Sequence, residues 1–188
     1  MVLLEEHPQS SIGECGLDGW VSEPAMPVQV PVFIAQVRIA RDLGRPLTIH
    51  ALKAWEALFA AFAEVPPPRF LMHSFNGSIE IARRLANLGA YFSFSGHFLH
   101  PRKAALLEVF RQLPRERLLL ETDAPDMLPP QEIISHPLPD HRNHPANLPA
   151  IGDALAKALG MSSEDLAETT RENFGRWIQP RMDANEHE

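Results

Sequence analysis

Residues 46–73 read PLTIHALKAWEALFAAFAEVPPPRFLMH, and this stretch decides the fold. Pro46–His50 is a short strand ending on a histidine. Trp55–Ala63 is a helix, with Trp55 and Phe59 one turn apart as its packing pair. Three prolines, Pro66–Pro68, interrupt the chain, and Arg69–His73 is a second strand whose apolar run is Phe70-Leu71-Met72. Strand, helix and strand within 28 residues form a βαβ unit, which requires parallel strands.

The pattern continues outward in both directions. Upstream, Val32–Leu43 is a helix with Phe33, Val37 and Ala40 on one face and Gly44 as its stop. Ser11–Gly16 is a strand before it. Met1–His7 reads as a last helical turn ending before Pro8, without a start signal. Downstream, Ser78–Leu88 is a helix capped by Ser78 and stopped by Gly89, followed by a strand at Ala90–Ser95. A helix at Pro101–Leu113 and a strand at Arg117–Glu121 follow. After a proline-rich loop, helices at Leu148–Leu159 and Ser163–Trp177 close the chain, the second with a Ser162/Asp165 capping box. The class is α/β with a parallel sheet. Residues 1–180 are expected to be one domain, without internal repeats, and 181–188 a polar tail, frayed over Asp183–Glu188.

Composition narrows the function. The 188 residues carry a formal net charge of −7, which argues against a broad basic groove along a nucleic-acid backbone. A nucleic-acid substrate is not thereby excluded, because bound divalent ions supply local positive charge. Cys15 is the single cysteine, so no intramolecular disulfide forms, which suits a reducing compartment. No apolar run is long enough for a membrane span, and Met1–Leu4 runs straight into Glu5-Glu6 without a basic leader, so a cytoplasmic location is expected. The 18 prolines cluster at 24–31, 66–68 and 125–149, which read as loops.

Glu14, His50, His73 and Asp123 each stand at or just past the C-terminal end of a strand. In a parallel α/β sheet those ends share one rim, where ligands and catalytic groups gather. Two carboxylates and two imidazoles suit a divalent transition metal, and four separate strand ends with ligand-type residues are hard to produce by chance. Other residues have simpler readings. Cys15 is a core residue facing the helix layer rather than a nucleophile. His97 and His100 could approach a substrate phosphate, although loop histidines at a helix entrance are the simpler reading. His136 and His141 are solvated, as are Arg83-Arg84 and Arg115–Arg117.

Six motifs in order carry a resemblance. They are Gly13-Glu14-Cys15-Gly16-Leu17-Asp18, with the helix Phe33–Leu43 after it; Pro46–His50; His73-Ser74-Phe75-Asn76-Gly77; Phe92–Gly96; Glu121-Thr122-Asp123-Ala124-Pro125; and Arg142–Pro145 with Asn173-Phe174. Over roughly residues 3–178 the chain resembles the TatD-type metal-dependent hydrolases, a deoxyribonuclease family built on a (β/α)₈ barrel.

The resemblance implies two divalent ions, of zinc, manganese, magnesium or nickel. Glu14 would bridge them, His50 and His73 would bind one, and Asp123 would bind the other and accept a proton from the attacking water. Glu14 and Asp123 are thus the implied catalytic carboxylates. Asp18, Arg142, Asn143 and His97 would lie behind the ligands or orient substrate. The implied reaction is phosphodiester hydrolysis of DNA by metal-activated water.

The sequence departs from the family in three places. A full barrel needs about 250 residues, and the strand with a His-x-His pair that opens the family is absent. The expectation is a partial TIM barrel holding strands four to eight and lacking one to three, with one metal site weakened. Its open edges would permit an edge-mediated oligomer, and no obligate protein partner or membrane is indicated. Leu52 stands where relatives often have arginine, and Asp126 where they often have an aromatic residue. These departures keep two alternatives open: a hydrolase of another small phosphoester or amide, or an inactive or purely binding remnant.

Overall fold

Strand and helix alternate through the computed structural model much as the apolar periodicity dictates. The structure describes Leu4, Glu6, His7 and residues 9–179. The expected polar tail and most of the Met1–His7 turn lie outside the described residues. The strands are β1 (Ile12–Asp18), β2 (Leu47–Leu52), β3 (Phe70–Met72), β4 (Ala90–Ser95) and β5 (Leu118–Glu121). The helices are α1 (Met26–Asp42), α2 (Trp55–Glu64), α3 (Ile79–Asn87), α4 (Ala104–Gln112), α5 (Leu148–Leu159) and α6 (Ser163–Ile178). One sheet of order β1-β2-β3-β4-β5 holds the five strands, and the pairs β1–β2, β2–β3 and β4–β5 are parallel.

The largest departure from the sequence reading is α1. It begins at Met26, six residues before the expected start, and contains Pro31. Pro27 is harmless in the first turn, where N–H groups have no helical partner. Pro31 lacks the N–H that would bond the Pro27 carbonyl, yet burial of Phe33, Ile34, Val37 and Ala40 carries the helix through. Two strands also run further than expected, β1 to Asp18 and β2 to Leu52. In contrast, Pro101–Lys103 forms a 3-10 turn ahead of α4. The buried face of α2 is Leu58, Ala61 and Phe62, whereas Trp55 and Phe59 are half-buried.

The described residues group into two compact units. One comprises those of Met1–His73, Leu88–Ala90 and Gly175–Glu188; the other comprises Ser74–Asn87 and Tyr91–Phe174. In the first, Leu47 and Ile49 of β2 and Phe70 of β3 are fully buried. The Phe62 ring lies 5.9 Å from Phe33 and 5.1 Å from Phe70, joining both helices to the sheet. Each such side chain contributes about 1.5–3 kcal/mol on burial.

The second unit is built on phenylalanine. Phe75 meets Phe92 edge-on at 5.0 Å, and Phe94 meets Phe110 edge-on at 4.9 Å. Every residue of β4 is buried, as expected of a parallel strand covered on both faces. Asn173 on α6, fully buried, donates to the carbonyls of Arg115 (2.7 Å) and Leu118 (2.8 Å) and so ties that helix to the start of β5. The Ser162 hydroxyl accepts from the Asp165 N–H at 3.0 Å, the expected cap of α6.

Candidate metal centre

The first unit builds its site from a break in register. Ile12 pairs with Leu47 but Cys15 with Ile49, so Gly13 and Glu14 together oppose Thr48 alone. This is a β-bulge, a device that re-aims side chains near functional sites. Beyond it Gly16 lies opposite His50. A Cβ at Gly16 would stand 1.9 Å from the His50 carbonyl oxygen, so only glycine allows this approach.

Three expected residues meet here. His50 Nδ1 lies 3.3 Å from Glu14 Oε1, and His73 Nε2 lies 4.0 Å from Glu14 Oε2. Asp18, expected behind the ligands, faces the other nitrogen of His50, with Nε2 to Oδ2 at 3.3 Å. Both ring nitrogens of His50 therefore face carboxylates. A neutral ring can satisfy one with its N–H, but its lone pair then confronts the other carboxylate. A second proton or a cation between them relieves the conflict.

A ring nitrogen held by a carboxylate while its partner turns toward a second donor is the usual setting of a metal-binding histidine. Two donors about 2.1 Å from a tetrahedral ion stand about 3.4 Å apart, close to the observed 3.3 Å. The donor set thus fits a divalent ion in chemistry. The His73 to Glu14 separation is wider, and among the described residues no three ligand-type side chains form a closed cluster. The Glu14 side chain is 47% exposed and so has room to rotate.

Gln29 was missed from the sequence, because it lies in the prolines read as loop. Its Oε1 accepts from the Asp18 N–H at 2.7 Å, and its Nε2 donates to the Asp18 carbonyl at 2.9 Å. The Asp18 carboxylate also accepts from the Trp20 N–H at 2.7 Å. Trp20 in turn lies under the Lys53 ammonium, 4.2 Å from the ring. A groove of about 510 Å³ opens beside Glu14, Asp18 and His50, with Val21, Val28 and Val32 on its wall. Cys15 is buried, as expected of a core residue, and burial, aided by the Glu14 charge, pushes its thiol up to about 12.

Asp123 lies in the second unit, just past β5, in the left-handed region with φ +57°. That conformation is uncommon outside glycine and persists where neighbours fix it. Asn143, only 1% exposed, donates to the Thr122 carbonyl at 2.8 Å, and its backbone N–H donates to the Pro125 carbonyl at 2.7 Å. The Asp126 N–H closes a turn onto the Asp123 carbonyl at 3.0 Å. Asn143 therefore shapes the loop carrying Asp123, whereas Arg142 and Asp126 are exposed.

His97 and His100 pair with ring centres 5.1 Å apart, and His100 Nε2 reaches the Leu128 carbonyl at 3.2 Å. Ser74, Ser93 and Glu121, which stand in the quoted motifs but carried no expected role, are joined by hydrogen bonds.

A parallel α/β sheet that brings carboxylate and imidazole donors together is the kind of scaffold on which metal-dependent hydrolases of α/β fold are built. The comparisons narrow it. The family model for TatD related DNase matches residues 2–179, and the chain belongs to this family. It is 32% identical over 168 residues to the metal-dependent hydrolase YabD of Bacillus subtilis, covering 88% of this chain and 64% of that protein. It is 34% identical over 166 residues to the 3'-5' ssDNA/RNA exonuclease TatD of Escherichia coli, covering 87% and 63%. The chain thus spans just under two thirds of the length of these relatives.

Among solved structures, the TatD homolog YJJV of Escherichia coli superposes with a TM-score of 0.80 at 26% identity, over 92% of this chain and 65% of that one. A TatD family hydrolase of Entamoeba histolytica superposes with a TM-score of 0.83 at 21% identity, over 95% and 67%. No helix among the described residues is long and apolar enough to cross a membrane.

Proposed function

We propose that the chain carries the metal-binding half of a phosphodiesterase that acts on single-stranded nucleic acid. The observation that carries this reading is His50, held between the carboxylates of Glu14 and Asp18 with His73 on the far side of Glu14. Its five strands correspond in this reading to strands four to eight of an eight-stranded barrel, and the lone buried cysteine fits a cytoplasmic setting.

A divalent ion bound there supplies an acidified water and positive charge for phosphoryl oxygens. Glu14, His50 and His73 hold it. Asp18 fixes the His50 ring through Nε2, and Gln29 fixes Asp18. Asp123 is the candidate ligand of a second, weaker ion and the candidate acceptor of the proton from the attacking water. Exonuclease activity on single-stranded DNA and RNA in the Escherichia coli relative supports the substrate class. The net charge of −7 and exposed Asp126 favour a smaller phosphoester as the second reading, since both repel a polyanion.

The test assays Mn²⁺-dependent cleavage of a single-stranded oligonucleotide beside a small phosphodiester. Cleavage is expected with Mn²⁺ and lost on chelation, and His73→Ala is expected to reduce it by at least about 100-fold. Cleavage that survives chelation, or an undiminished rate in His73→Ala, overturns the assignment.

A further inference from the structure

We propose that Glu121 is a positioning residue whose carboxylate, gripped by the hydroxyls of Ser74 and Ser93, sets the backbone from which His73 and Asp123 project. The inference rests on the metal-hydrolase reading above and adds to it a residue outside the ligand set.

Three segments distant in sequence meet at this one carboxylate. The Ser74 hydroxyl donates to Oε1 and the Ser93 hydroxyl to Oε2. The Ser74 N–H donates to Ser93 Oγ at 3.2 Å, and the Phe75 N–H donates to the Ser93 carbonyl at 3.3 Å. Ser74 and Ser93 are 9% and 1% exposed and Glu121 is half-buried, so water competes little for these bonds. A carboxylate suits the position because both of its oxygens accept, matching two hydroxyls that each donate. In such a partly buried network the members restrain one another.

The consequence passes along the backbone. Ser74 follows His73 directly and is left-handed, with φ +42°. Serine keeps that conformation only where its surroundings over-determine it. The hold of Glu121 on Ser74 therefore fixes the direction in which the chain leaves His73, whose own N–H donates to the Ile49 carbonyl at 2.9 Å. On its own strand Glu121 stands two residues before Asp123, which is also left-handed. One carboxylate thus anchors the exits of two strands that end on expected ligands.

The test compares the full chain with Glu121→Gln, Ser93→Ala and the double variant. Two quantities are read: Mn²⁺ affinity by titration calorimetry, and the His73 ring and Ser74 amide resonances of the metal-free protein by NMR. Glu121→Gln is expected to weaken Mn²⁺ binding by about 10–100-fold and to move the His73 and Ser74 resonances while those of His50 stay near their places. The double variant is expected to lose no more than Glu121→Gln alone, because the two side chains act as a unit.

Unchanged affinity with unmoved His73 resonances, additive losses, or shifts spread equally over His50 would each overturn the proposal. A wild-type chain that binds no Mn²⁺ sinks the metal reading instead, and the resonances of Ser74 and His73 still decide the role of Glu121. Should Glu121→Gln fail to fold, Ser74→Gly removes the hydroxyl while tolerating the left-handed backbone, and the same two measurements decide.

Discussion

Glu14, at the bulge early in β1, and Asp123, just past the end of β5, are both carboxylates, but they are held by opposite means. Glu14 projects from a bulge with half of its side chain in water, and its neighbours are His50 and His73. What fixes it is a pair of imidazole contacts at an exposed site, hence weak until a cation arrives. Asp123 sits in a loop whose carbonyls are bonded by a buried asparagine. What fixes it is a set of hydrogen bonds shielded from water, in place whether or not an ion is bound. On the function proposed above, the comparison predicts that the Asn143 contacts serve folding stability and the Glu14 contacts serve ion affinity, so that each can be altered without the other.

The severest way to break the first region is Gly16→Ala. The new methyl would meet the His50 carbonyl, a backbone atom with no freedom to withdraw. A loss of at least about 4 kcal/mol is expected in urea unfolding, among the largest effects of single substitutions. A variant as stable as wild type would show that β1 does not depend on the missing side chain.

A paired substitution sharpens the comparison. Asn143→Ala removes bonds to the Thr122 and Met127 carbonyls and strips Asn147 of an acceptor at 3.0 Å. It should cost about 2–3 kcal/mol of stability and barely change the Mn²⁺ affinity of the Glu14, His50 and His73 set. Glu14→Gln should do the reverse, holding stability within about 0.5 kcal/mol while abolishing Mn²⁺ binding. Melts and calorimetry on the two variants check this; if both variants lose the same property, the division fails.

The smallest expected effect is a pH dependence at His97. Burial holds its imidazole below the ordinary histidine value, and the charges of His100, Lys103 and Arg102 add to this, against a hydrogen bond to the Leu128 carbonyl. The unfolded chain then binds the proton more readily than the folded one. Stability is therefore full above the ordinary value of 6.5 and declines as pH falls through it. His97→Gln should flatten the melting temperature between about pH 7 and pH 5. An unchanged slope in the variant would assign that pH dependence elsewhere.

Much of this could be read from the chain. Strand exits were legible for β3 and β5, where short apolar runs stop at polar residues and His73 and Asp123 follow. Glu14 and His50 were expected at strand ends too, but β1 runs on to Asp18 and β2 to Leu52, so both lie within their strands. The first turns of α1 were hidden by Pro27 and Pro31, whose local signal is overridden by burial further along the helix; Gln29 was lost with them. The bulge at Gly13-Glu14 was illegible because register is a relation between two strands. The Ser74, Ser93 and Glu121 network was invisible for a similar reason. Its members are 19, 28 and 47 positions apart, and nothing local marks them as partners.

The bulge in β1 also sets how the strand reads from either end. Side chains alternate along a regular strand, and a slip of one residue turns each of them over. Gly13 and Glu14 together oppose Thr48, so β1 is one residue longer than β2 over the same span. Ile12 and Cys15 each keep a partner on β2 although three positions separate them where two would serve an even ladder. Loss of one residue here would even that ladder and leave no spare residue to turn Glu14 toward the histidines.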